Sequence, residues 1–351
     1  MQEILIIGTV LTGLIIILAY IYIAVKPVLP YLYINTMLQS RSGKFLSKKK
    51  LQSLIESKNL NEFVNNLTDT FYEVDDTELE SMHHAFTHKY AELLTEIKKN
   101  TPKEFTELLN TYALLAESAI IRYLYRSKFL GKAIDDTYVY EVGTLSKYQL
   151  SAMKSAVDFA EFKAMFSPTI YRKLLLTEHK SVEEFENAMD LFISDEIENR
   201  LKQMKIANKK LIRDLFKMII DQHNIMTAFQ SIIRQAPVQL MKGGFVDIKL
   251  LEDVKSANEL LEKIENTIYS TTLNEVKSSY EKTGRTAYFE IALERLILSI
   301  AQKEVMSKPQ GAFSIFVFIL KARQDKQNVQ IISKGIEAGL KIDKIEEMII
   351  W

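Results

Sequence analysis

Cysteine is absent from all 351 residues, so neither a disulfide nor a thiolate metal site is open to this chain. Glycine and proline are scarce, at 11 and 6. So few turn-formers beside many Leu, Ile, Lys and Glu exclude a turn-rich β architecture and favour an all-α protein. Charge of one sign is also lacking: 45 basic residues meet 45 acidic ones, for a net charge of zero. That balance argues against nucleic acid as a partner, which normally requires a basic excess. Chemistry motifs are missing too. Lys242-Gly243-Gly244 and the stretch from Gly335 to Gly339 lack the spacing and the Lys-Ser/Thr end of a phosphate loop. No GxGxxG follows a strand. His84 and His88, four apart, lack the Glu of H-E-x-x-H and a clear third ligand, and read as an exposed polar face. Asp75-Asp76 and Asp135-Asp136 read as solvated loops. With no nucleophile–base arrangement, the sequence implies a non-catalyst with no cofactor, no metal and no small-molecule substrate.

What is present begins with one long apolar run. Ile4 to Val25 carries no charge, and twenty-two residues at helical rise cover about 33 Å, enough for a hydrocarbon core of about 30 Å. Tyr20 and Tyr22 near its end suit the interface. A cleaved signal peptide is the alternative, but Met1-Gln2-Glu3 has no Lys or Arg and no clean small-x-small site follows. A retained anchor in membrane lipid is therefore expected. Lys26, Arg41, Lys44 and Lys48 to Lys50 follow the run, which places the body in the cytoplasm and the N-terminus outside. Ser47 is a candidate N-cap, with the three lysines in the first turn behind it. Two readings of those lysines stand: a solvated face, or a patch near an anionic membrane surface.

The rest of the chain repeats. Lys209 to Gln235 is a helical stripe, with Leu211, Leu215 and Ile219 beside Ile212, Phe216 and Ile220, and Pro237 is placed to stop it. Inside it Asp221 and Asn224 lie three apart. The pair returns 104 residues on as Asp325 and Asn328, and 104 residues back, degenerate, as Glu117 and Ile120. Thr70-x-Tyr72 recurs as Thr169-x-Tyr171 and Thr267-x-Tyr269, and glycine breaks precede them at Gly43, Gly143 and Gly243. A third landmark, Phe185-Glu186-x-Ala188-x-Asp190, matches Phe289-Glu290-x-Ala292-x-Glu294. Several landmarks at one period indicate three similar helical units. Their expected bounds are 27–131, 132–236 and 237–351, after an anchor at 1–26. Each Thr is expected to cap the next helix and each Tyr to fill a core. The Asp and Asn on a half-buried helix need partners, from backbone or from an Arg such as Arg234, or else they face a binding partner.

The closing stretch, Phe316 through Lys321, Asp325, Asn328, Lys334 and Gly335 to Leu340, is similar to a family pattern of Tyr-x-x-x-Lys-x-x-Glu-x-x-Asn-hydrophobic followed by Lys-x-x-Gly. With Tyr31 to Tyr72 and Gly243 to Tyr269, it resembles the C subunits of archaeal A-type ATP synthases, related to the d subunit of the eukaryotic vacuolar proton ATPase. The resemblance runs from about Tyr31 to the end. Asp325 stands where that family has Glu, Phe318 lies near its Tyr, and Ile120 replaces its Asn. The resemblance implies a funnel of three helical units, and a non-catalytic central-rotor part of a proton- or sodium-translocating machine. Such a part links the central shaft subunits to the membrane proteolipid ring and transmits torque. The anchor is a departure from the family and keeps a second reading open, a membrane-anchored helical-repeat adaptor for another cytoplasmic complex.

Overall fold

A computed structural model describes residues 2–26, 28–135, 138–206, 208–235, 239–307 and 311–350; the side chains of residues 2–12, 24 and 307 are not described. Among the described residues the chain is all-α, with no strand. The first helix, α1, runs Gln2–Val25. From Leu14 onward its large apolar side chains are exposed, with Ile23 at 69%. Among the described residues, however, no helix is long and apolar enough to cross a membrane. The span expected over Ile4–Val25 is thus not borne out there, and the side chains of its first part lie outside the described residues. Pro237, the expected stop of the central helix, also lies outside them.

After α1 come α2 (Leu32–Ser42), α3 (Lys48–Ile55) and α4 (Leu60–Asn66), then the long pair α5 (Leu79–Lys99) and α6 (Lys103–Phe129). Three short helices follow, α7 (Lys147–Ser155), α8 (Phe159–Ala164) and α9 (Arg172–Leu176), then a second long pair, α10 (Val182–Gln203) and α11 (Lys209–Arg234). The last series is α12 (Ala257–Lys263), α13 (Ser270–Thr283), the long pair α14 (Ala287–Ser307) and α15 (Ala312–Glu337), and α16 (Ile342–Met348). Five of the short helices start on side-chain caps. Ser47, Asn59, Ser146, Asp158 and Ser256 each accept from the backbone N–H three residues on, satisfying one of the donors a helix start leaves free. Ser47 does so for the helix opened by Lys48 to Lys50, as expected. α11 stops at Gln235, which turns left-handed at φ 53°.

Long helices pair across the sequence, although α14 packs on its neighbours α13 and α15 as well. α6 packs along α10, α11 along α14, and α15 along α5. Two of these pairings are marked by a stacked ring pair: Tyr125 on Phe185 with centroids 3.7 Å apart, and Phe229 on Phe289 at 4.2 Å. Phe185 and Phe289 are the residues that open the repeated Phe-Glu-x-Ala motif. The third pairing has a hydrogen bond between His83 and Ser333 at 2.9 Å. The order of contacts returns to its start, with the N-terminal short helices seated on the C-terminal long one. There Leu51, Leu54, Phe63, Leu67 and Tyr72 join Val329, Ile332 and Ile345 in an apolar core separate from the main one.

Candidate functional site

The repeated carboxylates are fully or almost fully buried, and each ties its long helix to a turn elsewhere in the chain. Glu117, on α6, accepts the backbone N–H of Thr144 at 2.7 Å and of Leu145 at 2.5 Å, and the Tyr171 hydroxyl at 2.8 Å. Asp221, on α11, repeats this with Phe245 N–H at 2.9 Å, Val246 N–H at 3.1 Å and the Tyr269 hydroxyl at 2.7 Å. Asp325, on α15, accepts Leu46 N–H at 2.9 Å. Here the Tyr72 hydroxyl donates at 2.6 Å to the Ala322 carbonyl instead. The second Asp325 oxygen has only the Lys321 ammonium, 3.0 Å away. Burial pushes the carboxyls of Asp221 and Asp325 up from the ordinary carboxylate range, although their hydrogen bonds and nearby lysines pull the other way. The same burial, with Asp221 beside it, drives the Tyr269 hydroxyl far above its usual range.

Close approach requires glycine at two of these ties. A Cβ on Gly143 would lie 2.6 Å from the Glu117 carboxyl carbon, and one on Gly244 would lie 1.9 Å from Asp221 Oδ1. The glycines that correspond are therefore Gly143 and Gly244. In the expected register of Gly43, Gly143 and Gly243 the middle member is off by one: Gly43 and Gly243 match Val142, and Lys44 occupies the place of Gly143 and Gly244, before Phe45-Leu46. A Cβ on Gly43 would meet nothing within 4 Å.

The other repeat residues also have definite partners. Asn224 clasps the Met241 backbone, donating to its carbonyl at 2.7 Å and accepting from its N–H at 2.8 Å. Asn328 does the same to Ile350, at 2.7 Å each way. Ile120 is buried at the first of these positions. Arg234 supplies none of these bonds. The threonines do not cap the next helix. Thr70, Thr169 and Thr267 donate back to the carbonyls of Leu67, Phe166 and Ile264, at 2.6, 2.8 and 2.7 Å. Thr169 and Thr267 also accept from the N–H of Tyr171 and Tyr269, at 3.2 and 3.3 Å, which locks the turn that delivers each tyrosine. His84 and His88 stack on an exposed face, 6.4 Å apart.

Beside the ties lies a polar cavity of about 410 Å³ between α6, α10 and α11, closed by Glu290 of α14 and Arg323 of α15. Asp190, buried, faces Arg122 at 2.5 Å and His223 at 3.3 Å. Burial raises the Asp190 carboxyl, but these two neighbours outweigh it and hold it below the usual range. Arg126 pairs with Glu186 at the rim. Arg323 reaches Tyr112 and Glu294, each at 3.2 Å. Burial, then Glu294, raises the Glu290 carboxyl. The Phe-Glu-x-Ala-x-Asp/Glu repeat pointed to the acidic half of this cavity; Arg122, His223 and Arg323 carried no repeat signal. Among the described residues no group of three or more His, Asp or Glu is placed to hold a metal ion.

The chain is a helical body cross-tied by buried carboxylates, and what it resembles are non-catalytic subunits of a larger assembly. The family described as ATP synthase (C/AC39) subunit matches over residues 34–348, and the chain belongs to it. Among its relatives is the C subunit of the A-type ATP synthase of Methanocaldococcus jannaschii, 26% identical over 92% of this chain and 86% of the relative. The same subunits of Thermococcus onnurineus and Desulfurococcus sp. are 24% and 25% identical, each over 91% of this chain and 90% of the relative.

Proposed function

We propose that the chain is the central-rotor subunit of a proton- or sodium-translocating A/V-type ATP synthase. In this reading, residues 27–131, 132–236 and 237–351 are three helical units arranged as a funnel, which links the central shaft to the proteolipid ring and transmits torque. One observation carries the reading: the cyclic order of buried ties, from Glu117 to Leu145, from Asp221 to Val246 and from Asp325 to Leu46. A torque-bearing element must resist shear between its parts. Charge-assisted bonds in a dry interior supply directional stiffness that apolar packing alone does not. Membership in the family and the names of the relatives support the setting, an ATP synthase complex.

In the same reading the stretch from Ile4 to Val25 seats the subunit in lipid, with the body on the cytoplasmic side. Its uncharged sequence and the exposure of Leu14 to Leu18, Tyr20 to Ile23 and Val25 support this. The chain has no native cysteine, so single-cysteine variants give a clean test. In native membranes, a thiol from Leu14→Cys is expected to resist a membrane-impermeant maleimide, while one from Tyr148→Cys, 82% exposed on α7, reacts once the cytoplasmic face is open. Isolation of the full chain from those membranes in mild detergent is expected to bring down proteolipid and shaft subunits. Recovery of a different complex would favour the anchored adaptor, and equal labelling at both positions would remove the membrane seat.

A further inference from the structure

A smaller cavity, about 220 Å³, lies between the end of α10, the first half of α11 and the turn at Lys242-Gly243-Gly244. It is ringed by Lys202, Arg213, Lys217 and Lys242, against a single carboxylate, Glu198. That carboxylate is already taken by Lys202 at 2.7 Å. It is held below its ordinary range first by Lys202, with Lys242 and Arg213 adding to the effect, so these cations converge on one point. Lys217 lies over the Phe245 ring at 4.8 Å. Arg213 and Lys242 have no ion-pair partner of their own among the described residues. Like charges gathered in a cleft repel one another, and a bound anion relieves that repulsion.

The backbone adds to this. Gly243 sits at φ +98°. Among the described residues the N–H groups of Gly243 and Gly244 make no hydrogen bond, while those of Lys242, Phe245 and Val246 on either side do. Two free amides in a glycine turn beside four cations form a concave donor surface for an oxyanion. Asp221 lies behind this turn, with its oxygens taken by three donors.

The charge is local to this copy of the repeat. The positions 104 residues back from Arg213 and Lys217 hold Leu109 and Ala113, and those 104 residues on hold Val317 and Lys321. In the register set by the ties, Lys242 corresponds to Glu141 and Ser42. The fold is built three times with this cluster present once, so the cluster is not what the fold requires.

We propose that this cleft binds a phosphate group through Arg213, Lys217, Lys242 and the amides of Gly243 and Gly244. Both a free phosphate or diphosphate and the phosphodiester of an anionic lipid present that chemistry, and the cleft's volume admits either. The cleft lies within the first half of α11. The matching end of α15 is where Ser314 bonds to Asn35 at 2.7 Å, just after α1.

The test uses the full chain in uncharged detergent, titrated calorimetrically with sodium phosphate, with pyrophosphate, and with mixed micelles carrying phosphatidylglycerol. At least one probe is expected to bind with a dissociation constant of about 1 mM or tighter, and to weaken as NaCl rises. Arg213→Ala and Lys242→Ala, both exposed, are expected to keep the melting temperature of the free protein and to lose about tenfold in affinity each. Lys282→Ala, exposed on α13 and outside the cleft's lining, is expected to change nothing. Binding of the soluble ions alone assigns free phosphate; binding of the micelles alone assigns a lipid headgroup. Failure of all three probes, or binding that survives both substitutions, overturns the site. Neither outcome depends on the rotor reading, which the partner isolation tests separately.

Discussion

Glu117 and Asp221 are each tied to a turn a short way along the chain, 27 and 24 residues on. Asp325 reaches back 279 residues to Leu46. The two local ties are complete: two backbone amides, one tyrosine hydroxyl and a glycine that lets the carboxylate approach. The distant one has a single amide, a tyrosine turned to a carbonyl, and Lys44 in place of the glycine. The helix pairing also sets the third junction apart, with stacked rings at the two local junctions and the His83–Ser333 hydrogen bond at the third. Burial, with Lys334 adding, takes the His83 imidazole down to about 4, so this contact is made by a neutral ring at pH 7. The third junction rests instead on its own apolar core. The two local junctions thus carry the complete carboxylate tie, and the one that brings the chain's ends together has fewer donors on its carboxylate beside an apolar core of its own.

Removing the carboxylates is the hardest test of that division. Asp221→Ala strands the amides of Phe245 and Val246 and the Tyr269 hydroxyl in a dry interior. At about 1–3 kcal/mol for each unsatisfied group, a loss of about 4 kcal/mol or more is expected. Asp325→Ala strands one amide and leaves Lys321, half-buried, free to turn outward, so a loss of about 1–3 kcal/mol is expected. Denaturant midpoints of the two variants measure the difference. Equal losses would mean that the third tie is as strong as the others despite its missing donors.

The glycines give a smaller and more local contrast. Gly244→Ala places a methyl group 1.9 Å from Oδ1 of a carboxylate whose two oxygens share three donors, and such overpacking typically costs about 1–3 kcal/mol. Gly43→Ala meets nothing within 4 Å at a φ of −64°, and is expected to change stability by less than about 0.5 kcal/mol. A large loss at Gly43 would place a hidden constraint at the third junction and blur its distinction from the others.

These ties also mark what the sequence could reveal. Helical period set the bounds of α11 to within a residue, and Ser47 announced the start of α3, because both are local matters of face and cap. The recurrence of Glu117, Asp221 and Asp325 located the polar residues of the interior. It did not name their partners, since a buried carboxylate only demands donors and backbone amides leave no trace in side-chain identity. The helix pairing was hidden for a similar reason: an apolar stripe says which face is covered, not by which neighbour. The cavity's cations, Arg122 and Arg323, belong to no repeat, so spacing was silent about them. The glycine register failed by one because the three glycines do not hold one place of the repeat: the approach of Glu117 and Asp221 matches Gly143 with Gly244 and leaves Gly43 matched with Gly243.

The smallest expected effect concerns pH and separates Asp325 from everything else. Burial raises its carboxyl above the ordinary value of 3.8, with the Lys321 ammonium and the Leu46 amide opposing. The folded protein therefore holds a proton on Asp325 at pH values where the unfolded chain has released it. Between those two limits the native state binds more protons, so stability falls as pH rises through the window. The contribution is fully present below 3.8 and lost above the raised value. Asp221 and Glu290 are shifted the same way, so the pH profile of the wild type alone would not isolate one group. Asp325→Asn keeps the shape and removes the titration while leaving those two in place. The difference in unfolding free energy, wild type minus Asp325→Asn, is expected to decline from about pH 4 upward and then level off. A difference that rises with pH would mean that Lys321 outweighs burial and that the third tie is a strong ion pair. The contrast between the local junctions and the distant one would then rest on donor number alone.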